Sequence, residues 1–293
     1  MTGDLESATP ALCRLQLGTD LRRLRQRADM KATAVAKRLL WSPSKITRLE
    51  KGENATVELT DVMALCELYG ADAETRALLV GYATVTKTRR DWWQTPEFSP
   101  VIRPGLKALL GQEAAATAMH TYESEFVPGL LQTEDYVRAI HETALAGLTH
   151  EDVERTVSIR MTRQSVLHRA PSPLKLVAII NEAVLRRKVG GPAVTRQQLA
   201  HIAEVSALPN VRVQVVPFDL GVHPGMNGPF AIIHFSKDDD LRPIVYVENL
   251  ADAWVTRQLH DVDKYEEAFN NLEAVAPSPR ESLSMIHTAI KEL

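Results

Sequence analysis

Apolar positions recur along this chain with two different spacings, and the spacing changes before the middle. In the first third the period is helical. Leu17, Leu21 and Leu24 fall at i, i+4 and i+7, which predicts a first helix over about Leu17–Ala28. Val35, Ala36 and Leu39 form the apolar face of a second helix, and Ile46 and Leu49 that of a third. Between these two, Ser42 offers a capping hydroxyl and Pro43 stands at the first helical position, where a missing N–H is harmless. Gly52 follows the last periodic residue as a stop. Thr56–Thr60 reads as an extended loop, with Thr60 capping a fourth helix that carries Val62, Leu65, Cys66 and Tyr69 and ends at Gly70. Asp72 caps a fifth, with Leu78, Leu79 and Tyr82 on it. Helices this short and closely spaced predict one all-α bundle.

Beyond about residue 112 the pattern mixes. Met119–Tyr122, Leu174–Ile180, Val211–Val216, Phe230–Phe235 and Ile244–Glu248 read as strands, Val211–Val216 as half-buried because Val alternates with Arg and Gln. Pro128-Gly129 and Asp238–Asp240 are expected turns. Thr133 caps a helix with Tyr136, Val137 and Ile140; Thr149 caps another over His150–His168, with Val153, Val157 and Met161 on one face. Thr195–Ala207, about Val262–Ala274 and Ser278–Glu292 complete the helices. The predicted class is α+β overall, with an all-α unit over 1–84 and a mixed α+β domain over 112–293. Pro96, Pro100 and Pro104 make 85–111 a linker, in which the adjacent Trp92 and Trp93 are expected to pack.

Charge adds a direction to the helical unit. Residues 16–51 hold ten Lys or Arg against Asp20, Asp29 and Glu50, a local +7 in a chain of net charge −3. Such asymmetry suits a polyanion. Residues 32–52 have the form of a helix-turn-helix, whose second helix enters the major groove N-terminus first. Ser44, Lys45, Thr47 and Arg48 lie largely off the Ile46/Leu49 face and are candidates to reach base edges, Arg48 first for bidentate contact with guanine. Lys31, Lys37, Ser42 and Lys51 are candidates for phosphates. Arg22 and Arg25 are open: one of them either pairs with Glu50 or joins the phosphate contacts.

Chemistry is sparse elsewhere. The chain has no G-x-S-x-G, no phosphate loop ending in Gly-Lys-Ser/Thr, no G-x-G-x-x-G and no H-E-x-x-H. Cys13 and Cys66 are too few for a zinc site, and neither a metal nor a cofactor is expected. His223, in LGVHPGMNGPF (220–230), is close to Asp219 and the two form an acid/base candidate. The glycines and prolines of that segment equally suit a long connection between strands, no nucleophile accompanies them, and the chain is not read as an enzyme. Glu182 and Arg186, at i and i+4, are an expected surface pair. With no long apolar run and no charged-then-apolar leader, the expected location is cytoplasmic and nucleoid-associated.

The stretch VAKRLLWSPSKITRLEKGE (35–53), behind an arginine-rich helix, is similar to the Xre/Cro-type helix-turn-helix domains of lambda-repressor-like fold. Its WSPSKITRLE core resembles the WhiJ-like regulators of actinobacteria, as do EFVPGLLQTEDYVRAI (125–140), RMTRQSVLH (160–168), NEAVLRRKVG (181–190) and VRVQVVPFDLGVHPGMNGPFAIIHF (211–235). The resemblance runs from Leu15 to about Leu293. It implies a sequence-specific transcriptional regulator, a repressor, holding operator DNA as a homodimer. It also implies a C-terminal domain that binds a small protein encoded by a neighbouring gene. VPGLLQT (127–133) and the 219–230 loop are then candidate partner or ligand surfaces, through Pro128, Gly129, Leu130, His223 and Asn227. Two alternatives stay open: a ligand-sensing regulator with a small-molecule pocket in the C-terminal domain, and an antitoxin-like interaction module with secondary DNA binding. The chain departs from the pattern at Leu40, where relatives usually carry a turn glycine with positive φ, at a cost of roughly 1–2 kcal/mol. It departs also at Lys31–Ala32, where Ser or Thr then Gln usually starts the second helix, and at Asn181, where Asp is expected.

Overall fold

A computed structural model describes residues 9–54, 56–144, 148–170, 172–236, 241–249 and 253–293. The chain folds as two units: one comprises the chain to Thr95 together with Ser236 and Leu241, and the other Pro96–Phe235 and Arg242–Leu293. The class is α+β, as the mixed spacing predicts.

The first unit contains α1 (Pro10–Arg27), α2 (Ala32–Arg38), α3 (Pro43–Lys51), α4 (Leu59–Tyr69) and α5 (Ala73–Thr88). The first helix starts well ahead of Leu17, because Thr9 caps it by accepting from Leu12 N at 3.2 Å and Pro10 opens it. The extra turns bury Ala11, Cys13 and Leu15. Thr60 does not cap α4, which begins at Leu59 behind Glu58. Asp72 does cap α5, accepting from Thr75 N at 2.7 Å. Leu17, Leu21, Val35, Ile46, Leu49, Leu65 and Leu79 share one core. The α1–α3 crossing is tight because Gly18 has no side chain: a Cβ there would stand 2.6 Å from the Leu49 carbonyl oxygen. Arg25 clamps the same two helices, giving two hydrogen bonds to Glu50 (2.5 and 2.8 Å) and one to the Met30 carbonyl (2.8 Å). Of the two arginines left open, Arg25 is therefore the internal one.

The unit continues past residue 84. Arg14 and Asp91 form a buried pair at 2.6 Å, and Trp93 is buried with its ring edge-on to Trp92. Part of the stretch expected as linker is also helical, since α6 occupies Pro104–Ala115. Pro104 opens that helix at its first turn, the one helical position where proline is favoured.

The second unit is built on a six-stranded sheet of order β3-β2-β1-β4-β5-β6, with β1 Ala118–Glu123, β2 Lys175–Asn181, β3 Val211–Val216, β4 Phe230–His234, β5 Ile244–Glu248 and β6 Ala253–Thr256. The first three strands are parallel, so each link must cross over. Helices α7 (Glu134–Ala144) and α8 (His150–Gln164) make the first crossover; α9 (Glu182–Arg186) and α10 (Pro192–Val205) make the second. An antiparallel run, β4-β5-β6, completes the sheet. Beyond it lie α11 (Leu259–Val275) and α12 (Pro279–Glu292). Strand β6 was not expected from the sequence, and the expected turn at Asp238–Asp240 lies outside the described residues.

Register sorts the side chains. Met119, Thr121 and Glu123 of β1 share a face with Leu176, Ala178, Ala231, Tyr246 and Glu248. Tyr122, Ile179, Phe230, Ile232 and Val245 form a core with Phe269 and Leu272 of α11. Strand β3 is more buried than its alternation predicts, with Arg212 its exposed position. Gln214 is buried because its amide donates to the carbonyls of Pro277 (3.0 Å) and Glu273 (3.3 Å). Ser282 accepts from Val215 N at 3.0 Å, so α12 covers this edge of the sheet.

Candidate functional site

Two places gather the predicted residues, one in each unit. In the first, α3 starts where Ser42 Oγ accepts from Lys45 N at 3.3 Å and meets Ser44 Oγ at 3.0 Å. Thr47 Oγ1 donates back to the Pro43 carbonyl at 3.2 Å. Ile46 and Leu49 are buried, so the helical period turns Ser44, Thr47 and Arg48 to solvent. Arg48 has no ion-pair partner among the described residues, and neither have the exposed Lys31, Lys37 and Arg38. Lys45 is different. Its Nζ lies 2.7 Å from Asp61 and 3.8 Å from the centre of the Trp41 ring, so it is half-buried and already engaged. Lys51 is 3.6 Å from Glu53. Leu40 holds the turn with φ 56° while 93 % exposed, so no packing compensates its left-handed backbone.

In the second unit a cavity of about 440 Å³ lies between the Thr121/Glu123 face of the sheet and side chains of α6, α7 and α8. Pro128, Gly129 and Leu130 form part of its wall. That wall is pinned from behind. Gln198 accepts from Thr133 N at 2.7 Å and donates to the Leu131 carbonyl at 2.6 Å, and Gln132 donates to the Val127 carbonyl at 2.8 Å. Val127 N donates to Tyr136 Oη at 3.1 Å. Gly129 leaves room for two guanidinium groups here, since a Cβ would stand 2.6 Å from Arg160 Nη1 and 3.1 Å from Arg163 Nη1. Arg163 makes a buried bidentate pair with Glu113 (3.0 and 2.7 Å). Among the described residues, three buried nitrogens around the cavity have no hydrogen-bond partner: Arg160 Nε, Arg163 Nη1 and His141 Nδ1.

The electrostatics follow from burial. Burial, then Arg160 and Arg103, hold the His141 imidazole down to about 4, so it is neutral at pH 7. Burial and the neighbouring Arg163 pull the Arg160 guanidinium down to about 10. Burial pushes the Glu123 carboxyl up to about 8, with Arg160 opposing and Glu248 adding to the rise. Tyr246 donates to Glu248 at 2.8 Å.

Compared with known families, residues 16–79 match a helix-turn-helix domain and residues 106–288 match a domain of unknown function, DUF5753, which covers more than half of the chain. The chain belongs to the DUF5753 family. No curated protein and no solved structure matches it. Its helix-turn-helix domain is of the class with which regulators hold duplex DNA.

Within the DUF5753 domain the predicted surface residues separate. Pro128, Gly129 and Leu130 share the cavity. His223 and Asn227 belong instead to a turn packed under the other face of the sheet. His223 is buried with its ring 6.0 Å from that of Tyr122, and Asn227 closes the turn by donating to the Pro224 carbonyl at 3.0 Å. Among the described residues His223 and Asp219 share no hydrogen bond. Glu182 and Arg186 pair at 3.0 Å; Arg186 also meets Glu292, and Glu182 accepts from Phe218 N at 3.0 Å.

The sequence reading missed Arg160, Arg163, His141 and Glu123. One signal was present: Arg160 falls on the same stripe of α8 as Val153 and Val157, a charged residue at a core position. It also missed His120, His234 and Glu266, which each bring one potential metal-ligand atom within 4.8 Å of the others. Burial keeps both imidazoles neutral, holding His234 down to about 4.

Proposed function

We propose that this DUF5753 protein is a sequence-specific, DNA-binding transcriptional regulator, a repressor of the Xre type and of WhiJ-like kinship, that holds its operator as a homodimer. The observation that carries the reading is the solvent face of α3, where unpaired Arg48 stands with Ser44 and Thr47, on a unit that also exposes unpaired Lys31, Lys37 and Arg38. Arg48 reads guanine in the major groove. Lys45 contributes only by leaving Asp61, and Lys31, Lys37, Ser42 and Lys51 hold phosphates.

The DUF5753 domain is the effector domain. A protein encoded by a neighbouring gene is one effector that fits the resemblance. A small molecule is favoured by a specific observation, the cavity behind the pinned 127–133 loop.

The test selects an operator from a random duplex pool and titrates it. Arg48→Ala lowers affinity for the selected operator by about 1–3 kcal/mol and leaves non-specific binding nearly unchanged. Lys37→Ala weakens both and reduces the salt slope by about one unit. A Lys45→Ala/Arg48→Ala protein that binds the operator as well as the parent removes α3 from the interface.

A further inference from the structure

Two guanidinium nitrogens, Arg160 Nη1 and Arg163 Nη1, converge on one point beside Gly129. Like charges brought together away from water repel, and each N–H left without an acceptor there costs more than a hydrogen bond returns. Glu113 neutralises Arg163, with both side chains almost fully buried. Arg160 is in no ion pair among the described residues, although the Glu248 carboxylate at the same cavity attracts it, and its Nε, like Arg163 Nη1 and His141 Nδ1, has no hydrogen-bond partner among them. Charge excess and orphaned donors therefore coincide at one end of the cavity. The remaining wall is largely apolar, with Leu106, Leu109, Met119 and Ile140 among its side chains. A volume of about 440 Å³ is within the range of pockets that hold small organic ligands, and far exceeds what a bridging water needs.

We propose that this cavity binds an amphipathic organic anion, one carboxylate on an apolar body, with the carboxylate seated between Arg160 and Arg163 beside Gly129. Arg103, Arg160 and Arg163 stand at the cavity against Glu248 and the Glu113 that neutralises Arg163, so with Glu123 protonated one cation is in excess, which suits a monoanion rather than a dianionic phosphate. Glu123, held protonated by its burial, offers a hydrogen bond to the bound molecule instead of a repelling charge. The loop that presents Gly129 is fixed by Gln198 and Tyr136, so the site is formed before the ligand arrives. The assignment rests on the DUF5753 domain being the effector domain only for its biological consequence, not for binding itself.

The test is calorimetric titration of the full chain, without DNA, using 2-naphthoate, its neutral analogue 2-naphthalenemethanol, and inorganic phosphate. The naphthoate saturates at one per chain, and the alcohol binds about tenfold or more weakly. Phosphate neither binds comparably nor competes. Arg160→Gln, which breaks no ion pair, lowers naphthoate affinity about tenfold or more and abolishes the preference over the alcohol, with the melting temperature unchanged or raised. Gly129→Ala places a methyl where the guanidiniums converge and produces the same loss with Arg160 still present, which keeps the test decisive if Arg160→Gln folds poorly. Absence of naphthoate binding, equal binding of the alcohol, phosphate binding as tightly as naphthoate, or full affinity in both variants each overturns the proposal. Operator titration with and without naphthoate then tests the effector reading separately: unchanged operator affinity beside intact naphthoate binding would reject the regulation and keep the site.

Discussion

Arg48 on α3 and Arg160 on α8 both have no ion-pair partner among the described residues, yet one stands in solvent and the other lines a cavity. Hydration supports Arg48 at no cost to the fold, so an exposed cation can wait unpaired for a polyanion. Arg160 has lost much of that hydration, and the surrounding fold must carry the penalty until something supplies an acceptor. The helical unit thus displays its charge, whereas the DUF5753 domain encloses it. Salt should weaken the first kind of recognition far more than the second.

The largest expected effect breaks the enclosed side of this comparison. Glu113→Ala leaves Arg163 buried and unpaired, and should destabilise the DUF5753 domain by about 3–5 kcal/mol in urea unfolding followed by circular dichroism. A loss no larger than that of a surface substitution would mean that Arg163 is hydrated and the cavity open.

Acid probes the same enclosure. His141 and His234 titrate near 6.5 in the unfolded chain but are held down to about 4 in the native one. Between these values the unfolded state binds protons that the native state refuses, so stability falls as pH drops from 6.5 to 4 and levels off below. Each histidine contributes on the order of 2–3 kcal/mol to that fall. Glu123 acts with the opposite slope, since its raised carboxyl makes stability fall as pH rises from 4.5 to about 8. Melting temperatures at pH 7 and pH 4.5 should therefore differ less in His234→Gln than in the parent.

Smaller effects belong to the displayed side. Leu40→Gly relieves a left-handed leucine with no packing around it and should raise the stability of the helical unit by about 1 kcal/mol in thermal melts. Arg48→Ala should change stability by less than about 0.5 kcal/mol, because the side chain is exposed and no hydrogen bond or ion pair among the described residues holds it.

What the sequence disclosed follows the range of the interactions. The α3 hairpin was legible because Ser42, Pro43, Ile46, Leu49 and Gly52 act within a few residues of each other. The same holds for the Thr149 cap of α8. Helix α6 was hidden because Pro104 ended a proline-rich stretch, and proline reads alike as a breaker or as a first helical residue. Strand β6 is four residues long and gains its identity only by pairing with β5. Gln214 looked like a solvent position, and only the carbonyls at the end of α11 explain its burial. The cavity was least legible, since Gly129, Arg160 and Glu123 come from a loop, a helix and a strand that only the tertiary fold brings together.

The strand order has a consequence for synthesis. Strand β1 lies between β2 and β4, and its partner residues in β4, such as His234 opposite Ala118, are made more than a hundred residues later. The five helices of the first unit all lie within the first ninety or so residues and are made while the ribosome is still far from β4. Until residues 230–234 emerge, β1 presents an edge with unpaired backbone groups that invites pairing with other chains. A chain cut short between β2 and β4 should therefore carry all five helices of the first unit on an aggregating stub, and chaperone dependence should concentrate in that interval of translation.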